Sequence, residues 1–478
     1  MEKDTKHIVK KNPYNSLSFL LVALGLFFIP FNSYEGISAL GEFSRESCFI
    51  FFTLAFIVEL IKIIKFKKVH LPLKHPIFIF LICILSWFLL SFFLNIVDIQ
   101  TYFIKQTTGN TRFIRQFGAL IISALVFTLT YYNVFNRFSI SSLFINIRRI
   151  FFYSFIVVSI YSILETLIIF LNFRFLEPVL YLFDYFPFTE TWIDYRLGRL
   201  YSVSYAPPVF GMYLMTIAGW MFSYILTHKG FKSVLPSILI IAFTFLSGSR
   251  SALFVVIMQL LVFLFYLVKK RKYHKNLIKI GLIAFVLSTP FLILKGKVFG
   301  EYVYEKVTSF NLDDGAHSIS NRSRLGMIYT SGLVFLENPI KGVGFGQVAY
   351  EARSLYPAWA TKDNWEFEQN YIDNSIKAFP PSYNIYTRLL AETGIIGFSL
   401  FTLFIIILIY VCYKKVGVKN ENTIFYLTLL VSFTGYAINW LQVDTFRVFG
   451  FWVCLALLIV TTKNQLKFGK NINGKWQK

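Results

Sequence analysis

Along this chain long apolar runs alternate with polar segments, and the spacing of that alternation predicts membrane-crossing helices. Each span needs roughly 20 mostly apolar residues. Runs of that kind are centred near Gly25, Ile57, Leu85, Ser123 and Ser159, and after a polar segment from Asn172 to Tyr205 four more follow near Ile217, Ile241, Gln259 and Phe285. A polar stretch, 295 to 384, precedes the last three, near Leu403, Ser432 and Leu455. The pattern predicts an all-α integral membrane protein of about twelve transmembrane helices. Its shortest link is Gly248-Ser249-Arg250-Ser251, between the brief Ile241 and Gln259 spans.

The organisation that follows has spans one to nine in 1–294, a large external loop in 295–384, spans ten to twelve in 385–462 and a basic tail in 463–478. The large loop carries Trp359, Trp365 and several Tyr and Phe, so a folded cap with short helices is expected there rather than a tether. No short-period repeat is present, nor an inverted pair of Gly/Pro-broken spans of the kind secondary transporters use. The first apolar run lacks a small-residue cleavage site and is expected to be retained.

Composition sharpens this picture. With 56% hydrophobic and 15% charged residues, the chain is not a soluble enzyme. The net charge of +22 does not imply a nucleic-acid partner, because the Lys and Arg punctuate apolar runs instead of covering one solvated face. They set topology instead. With the N-terminus inside, inner segments hold 28 of the 47 Lys and Arg but 4 of the 25 acidic residues, a charge of +24 inside against −2 outside. Basic residues are retained on the cytoplasmic side, so both termini are expected there. Cys48, Cys83, Cys412 and Cys454 lack metal or redox spacing and are expected to be small buried hydrophobes.

Arginine is distributed differently from lysine. Of the 16 Arg, only Arg137, Arg148, Arg149 and Arg271 fall inside. Lysine alone would satisfy topology, so the outer arginines need another reason: bidentate phosphate binding, or ordinary pairing with the outer acids. The outer face has no nucleotide supply. An enzyme there must receive an activated substrate, and in a membrane this is commonly a saccharide on a lipid diphosphate.

Four constellations bear on that chemistry. Arg250 lies in Ser247-Gly248-Ser249-Arg250-Ser251, among small residues that let a head group approach the backbone, with a snorkelling turn arginine as the plain alternative. Arg322 and Arg324 fall near a predicted helix start, followed by Asn338-Pro339 and Gly342-Val343-Gly344-Phe345-Gly346, where a tight turn suits the glycines. Arg199 ends Arg196-Leu197-Gly198-Arg199, ahead of Tyr205-Ala206-Pro207-Pro208, whose prolines suit a helix start. Pro380-Pro381-Ser382-Tyr383-Asn384 leads into Arg388 and Glu392, four apart on one helix face; they can pair, or Glu392 can serve as a base. His317 is the one histidine expected outside, and an incidental loop residue is its plain reading.

These residues resemble the O-antigen polymerase and O-antigen ligase superfamily of bacterial surface-polysaccharide enzymes. The resemblance rests on the Ser249-Arg250 turn, on the Arg324 helix with Pro339 and the Gly342, Gly344 and Gly346 turn, and on the spacing of Asn384, Gly394 and Gly397, which reproduces Asn-x9-Gly-x2-Gly. It covers 247 to 397, and the twelve-span layout extends it to the whole chain. It implies a membrane glycosyltransferase with a fold similar to the GT-C class, using undecaprenyl-diphosphate-linked oligosaccharides without cofactor, nucleotide or metal. Membrane lipids, a chain-length regulator and a flippase would be its partners and the cytoplasmic (inner) membrane its location. Ligases of the family carry His immediately before the Asn, where this chain has Tyr383, and this favours the polymerase branch. On that resemblance Arg250, Arg324 and Glu392 are the catalytic candidates, and Arg199, Arg322, Tyr383, Asn384 and Arg388 the substrate-binding ones. A ligase acting on lipid A core remains the alternative within the class. A polysaccharide-lipid flippase is the alternative outside it, disfavoured because few charges lie within the spans, Glu165 being the clearest.

Overall fold

A computed structural model of the chain describes residues 13–67, 69–275, 277–278, 281, 318–376, 379–417 and 421–463. Seven of its helices are long and apolar enough to cross a membrane. They are α2 (Ser47–Phe66), α3 (Pro76–Phe93), α4 (Gly109–Phe135), α5 (Ile140–Leu171), α6 (Pro207–Thr227), α8 (Arg250–Lys269) and α10 (Ile385–Gly417). Shorter apolar helices complete the bundle: α1 (Pro13–Phe28), α7 (Leu235–Leu246), α11 (Thr423–Asn439) and α12 (Phe449–Thr462). The protein is an all-α multi-pass membrane protein, and these helices stand where the apolar runs put them. The span expected near Phe285 lies outside the described residues.

Local chemistry sets the helix ends. Ser139 Oγ accepts from Ser142 N at 3.3 Å to open α5, and Ser249 Oγ accepts from Ala252 N at 3.4 Å to open α8. Prolines occupy the first turns of α3, α6 and α7, where no intrahelical N–H is required. Lys67 and Asn172 take left-handed conformations that stop α2 and α5.

Helix α6 forms the centre, with Trp220 fully buried, and packs against α8 and α11. On α5, by contrast, Ile156, Ile160 and Ile163 are exposed at helical spacing, as an apolar face toward lipid tails requires. The expected burial of the cysteines holds for Cys48, Cys412 and Cys454 and is overturned for Cys83 alone, which is exposed on α3, where a small hydrophobe can face lipid tails. The connections sort to two ends of the bundle. At one end Asn32 N donates to Val203 O at 3.1 Å, Leu200 N to Leu246 O at 3.2 Å and Ile385 N to Trp440 O at 2.9 Å. At the other, Arg137 pairs with Glu59 at 2.6 Å, Arg148 donates to Thr227 Oγ1 at 2.8 Å, and His75 meets Thr462 Oγ1 at 3.0 Å. The described parts of the connections expected to be external gather at the first end.

That end is covered by a cap with its own apolar cluster, built from Met327, Val334, Val343, Phe367 and Tyr371. Helix α9 (Ser318–Glu337) is its longest element and lies against α10. A two-residue hairpin, Phe103–Ile104 with Thr107–Thr108, is tied to the cap where Lys105 Nζ donates to Ile376 O at 3.1 Å. Helix α10 is broken at Gly394, whose φ is 63°. There Val343 N donates to Ala391 O at 2.9 Å, Gly344 N to Glu392 O at 2.8 Å and Ile395 N to Pro339 O at 2.8 Å. The glycine turn thus supplies partners to backbone groups that the break would otherwise leave unpaired. A methyl group at Gly342 would collide with the Glu392 carbonyl and one at Gly394 with that of Ile340, so both must be glycine.

Candidate functional site

Two concave sites among the described residues lie at the capped end. The first, of about 450 Å³, collects Arg199, Arg250 and Arg324 from three segments far apart in sequence. Each is positioned by its local structure. Gly248, at φ 65°, turns the chain out of α7, Ser249 caps α8, and Arg250 becomes the first residue of that helix. Arg250 Nη2 donates to Asn321 Oδ1 of α9 at 3.2 Å. Arg324 stands one turn further along α9, exposed. Arg199 is delivered by a tight turn: Asp194 Oδ1 accepts from Arg196 N and Leu197 N at 3.1 and 2.9 Å, Gly198 takes φ 59°, and an antiparallel backbone bridge joins Asp194 to Arg199. A Cβ on Gly248 would lie 3.1 Å from Arg199 Cγ, so glycine lets this arginine cross over the α8 turn.

The loop behind Arg199 is anchored by a residue that sequence reasoning placed only as a charge within a span. Glu165, fully buried in α5, accepts from Tyr201 N at 3.0 Å and from Ser202 N at 2.9 Å, one bond on each oxygen. Around the arginines the cavity wall carries Ser249, Ser251, Asn321 and Gln442, and its rim carries Phe254, Leu325 and Leu441, all three exposed. Three guanidinium groups and an apolar rim suit a ligand with an anionic head and a hydrocarbon tail.

The other expected residues sit elsewhere. Arg322 donates to Lys362 O at 2.8 Å and to Asp363 O at 3.2 Å, so it buckles the cap. Tyr383 has φ 57°, its ring lies under the Arg324 guanidinium, and its hydroxyl donates to Glu366 Oε1 at 3.4 Å. Asn384 Oδ1 accepts from Tyr386 N and Thr387 N at 2.9 and 3.2 Å, capping α10. Arg388 and Glu392 are both buried and paired at 3.1 Å, and Arg388 also donates to Asp444 O at 2.7 Å and Gln116 Oε1 at 3.2 Å. That pairing engages Glu392 outside the three-arginine cavity, among whose walls no described carboxylate appears. His317 lies outside the described residues.

The second concave site, of about 290 Å³, is lined by Arg112, Arg115, Arg388 and Arg447 with Glu42 and Asp444. Arg115 pairs with Glu42 at 3.1 Å, and Arg447 reaches the same carboxylate at 3.7 Å. Apart from Arg388, these residues were not singled out from sequence. The surplus of outer arginine included them, and the i, i+3 spacing of Arg112 and Arg115 places them on one face of α4. Among the described residues no group of His, Cys, Asp and Glu could hold a metal ion.

Residues 235–402 match the family described as O-antigen ligase. The match bears out the resemblance to the O-antigen polymerase and ligase superfamily, and it indicates ligase-like or polymerase-like action by a membrane glycosyltransferase-like enzyme on lipid-linked polysaccharide. It spans Arg250, Arg322, Arg324, Tyr383, Asn384, Arg388 and Glu392 and leaves Arg199 outside. No curated protein matches the chain.

Proposed function

We propose that this protein polymerises O-antigen or capsule repeat units on the external face of the cytoplasmic membrane, with the growing glycan on undecaprenyl diphosphate as donor. A hydroxyl of the next lipid-linked repeat is the acceptor. The convergence of Arg199, Arg250 and Arg324 on one cavity with an apolar rim carries this reading. During transfer the bond from the sugar C1 to the diphosphate oxygen breaks, and C1 bonds to the acceptor oxygen. Undecaprenyl diphosphate departs with the electron pair, and the acceptor hydroxyl gives up its proton. Negative charge grows on the departing oxygens, where preorganised donors are most effective. Guanidinium forks bind such oxygens in pairs, and the N-terminus of α8 at Ser249 adds partial positive charge.

Proton removal needs no dedicated carboxylate in this scheme. Glu392 is engaged by Arg388, so the acceptor proton leaves late, to the departing diphosphate or to water. Arg322, Asn384 and Arg388 then act on the substrate indirectly, by holding the cap, the start of α10 and the break at Gly394. Tyr383 in place of histidine favours the polymerase branch, because a phenol is a poor base near neutral pH.

Purified protein in lipid nanodiscs, supplied with lipid-linked repeats in the presence of chelator and without nucleotide, should lengthen them. The family description favours a second reading, glycan ligation to lipid A core. Offering both acceptors separates them: transfer to lipid A core and never to another lipid-linked repeat would establish the ligase.

A further inference from the structure

The second cavity has a charge imbalance that its internal pairing does not remove. Arg115 and Arg447 share Glu42. Arg388 has Glu392, and the Asp444 carboxylate, which accepts from Ser382 N at 2.6 Å, keeps its charge, so four arginines meet three carboxylates. Arg112 is left over. It makes no ion pair or hydrogen bond among the described residues, its Nε is shielded from solvent, and its guanidinium lies 4.2 Å from the centroid of the Phe379 ring. Arg112 is half-buried, and its shielded Nε lacks an acceptor, a desolvation cost that stacking on one ring only partly offsets. An anion entering the cavity would remove that cost.

The two concave sites share walls. Gln442 faces the three-arginine cavity while Asp444 and Arg447 face the second one, so one loop borders both. The Pro380–Tyr383 turn links them too, with Pro380 and Pro381 lining the second site and Tyr383 stacked under Arg324, an arginine of the first. Their surroundings differ. The apolar rim of Phe254, Leu325 and Leu441 belongs to the first, whereas arginine, glutamine and carboxylate groups dominate the second, which suits a hydrophilic ligand rather than a lipid tail.

We infer that the Arg112 cavity is a separate anion site that takes the charged group, carboxylate or phosphate, of a saccharide being joined. This deepens the polymerase reading and rests on it for the identity of the saccharide. Arg112 supplies the unpaired fork and Arg115 a second cation at the mouth.

The test is equilibrium binding of tritiated trigalacturonate to the full chain in nanodiscs of zwitterionic lipid, with maltotriose and inorganic diphosphate as competitors. Wild-type protein should bind trigalacturonate saturably and maltotriose should not compete. Arg112→Ala should weaken binding at least tenfold, and Arg115→Ala, at an exposed position, severalfold. Arg250→Ala/Arg324→Ala should bind as wild type does. Arg112→Lys, which keeps the charge, controls for folding and should fall between. Displacement by diphosphate at lower concentration than by unlabelled trigalacturonate would assign the site to phosphate, and the reverse to carboxylate; either supports an anion site. Absence of saturable binding, or binding lost in Arg250→Ala/Arg324→Ala and kept in Arg112→Ala, would overturn the inference. The transfer assay with lipid-linked repeats is read separately, so wild-type protein that binds trigalacturonate but never lengthens a repeat would refute the polymerase reading and leave this site standing.

Discussion

The guanidinium carbon of Arg324 lies 5.2 Å from the centroid of the Tyr383 ring. The position where related ligases carry histidine therefore supplies an aromatic platform beneath one of the three cavity arginines. Burial, and secondarily the Glu366 carboxylate, push the Tyr383 phenol above its ordinary value. A raised phenol pKa favours the neutral form, so this residue stays protonated throughout the neutral and mildly alkaline range.

Tyr383→Phe keeps the ring and should retain most polymerisation, with an unchanged pH profile up to about pH 9, since the phenol already titrates near 10 in model peptides. Tyr383→Ala removes the platform. A cation–π contact is worth about 0.5–1 kcal/mol at an exposed site, so a two- to fivefold loss is expected. An alkaline limb present in the wild type and missing in Tyr383→Phe would show that the phenol does ionise, against this account.

Arg250→Ala and Arg324→Ala should each abolish long polymer while protein abundance stays near normal. Losing one preorganised donor to developing negative charge costs about 2.7–4 kcal/mol, a hundredfold or more in rate. Lysine should rescue poorly because it keeps the charge and loses the fork. Cells would then carry surface lipid with a single repeat unit, visible on a polysaccharide gel. Wild-type ladders from both alanine variants would exclude these arginines from the diphosphate site.

The apolar periodicity was enough to place the spans around Ser159 and Ile217, because a membrane helix must satisfy its backbone internally and announces itself by length. Less visible was what joins them. Nothing in the local pattern says that Arg199, Arg250 and Arg324 face one cavity, since their convergence depends on how three loops pack at one end. The Asn384, Gly394 and Gly397 spacing was legible as a motif but not as a mechanism. Asn384 is a helix cap, and Gly394 a break over which the Gly342 turn docks. Glu165 stood out as a charge in a span, yet its partners are backbone N–H groups, which carry no residue-specific signal. Arg112 was not legible because what sets it apart, a guanidinium without an ion pair or hydrogen bond among the described residues, depends on how the loops pack around it.

Glu165 should act as a positioning residue for Arg199. Replacing it by Ala leaves the N–H groups of Tyr201 and Ser202 without acceptors, at about 1–3 kcal/mol each where they are buried. Glu165→Ala should lower the thermal unfolding temperature and also reduce transfer, whereas Glu165→Gln, which keeps one acceptor oxygen, should do less of both. If the effect on transfer runs through Arg199, Glu165→Ala/Arg199→Ala should transfer no more slowly than Arg199→Ala alone. Additive losses would assign Glu165 a purely structural role.

Gly342→Ala and Gly394→Ala should cut folded protein sharply, because each methyl would meet backbone carbonyl atoms that cannot rotate away. Positive φ adds strain at both positions. Gly417→Ala is the internal control: it has open space and lies at the end of α10, so it should be silent. The monodisperse, detergent-solubilised protein measured by fluorescence-detected gel filtration reads all three, and equal yields would mean that the glycine turn does not dock on the break as described.

The orientation of the bundle decides which compartment meets the arginine cavities. The structure sorts the connections into two ends, and lysine gathers with few acidic residues at the end holding Lys62, Arg137, Arg148 and Lys229, whereas most arginines lie at the capped end. Basic residues resist translocation, so that end should be cytoplasmic, together with both termini and the loop beginning at Lys269. The capped end, with Trp359 and the 295–384 loop, should be external. With Cys48, Cys83, Cys412 and Cys454 replaced by serine or alanine, Trp359→Cys should react with an impermeant maleimide in intact spheroplasts, and Lys229→Cys only after permeabilisation. The reverse pattern would place Arg199, Arg250 and Arg324 in the cytoplasm, where nucleotide-activated sugars are available, and the argument for a lipid-diphosphate donor would lose its premise.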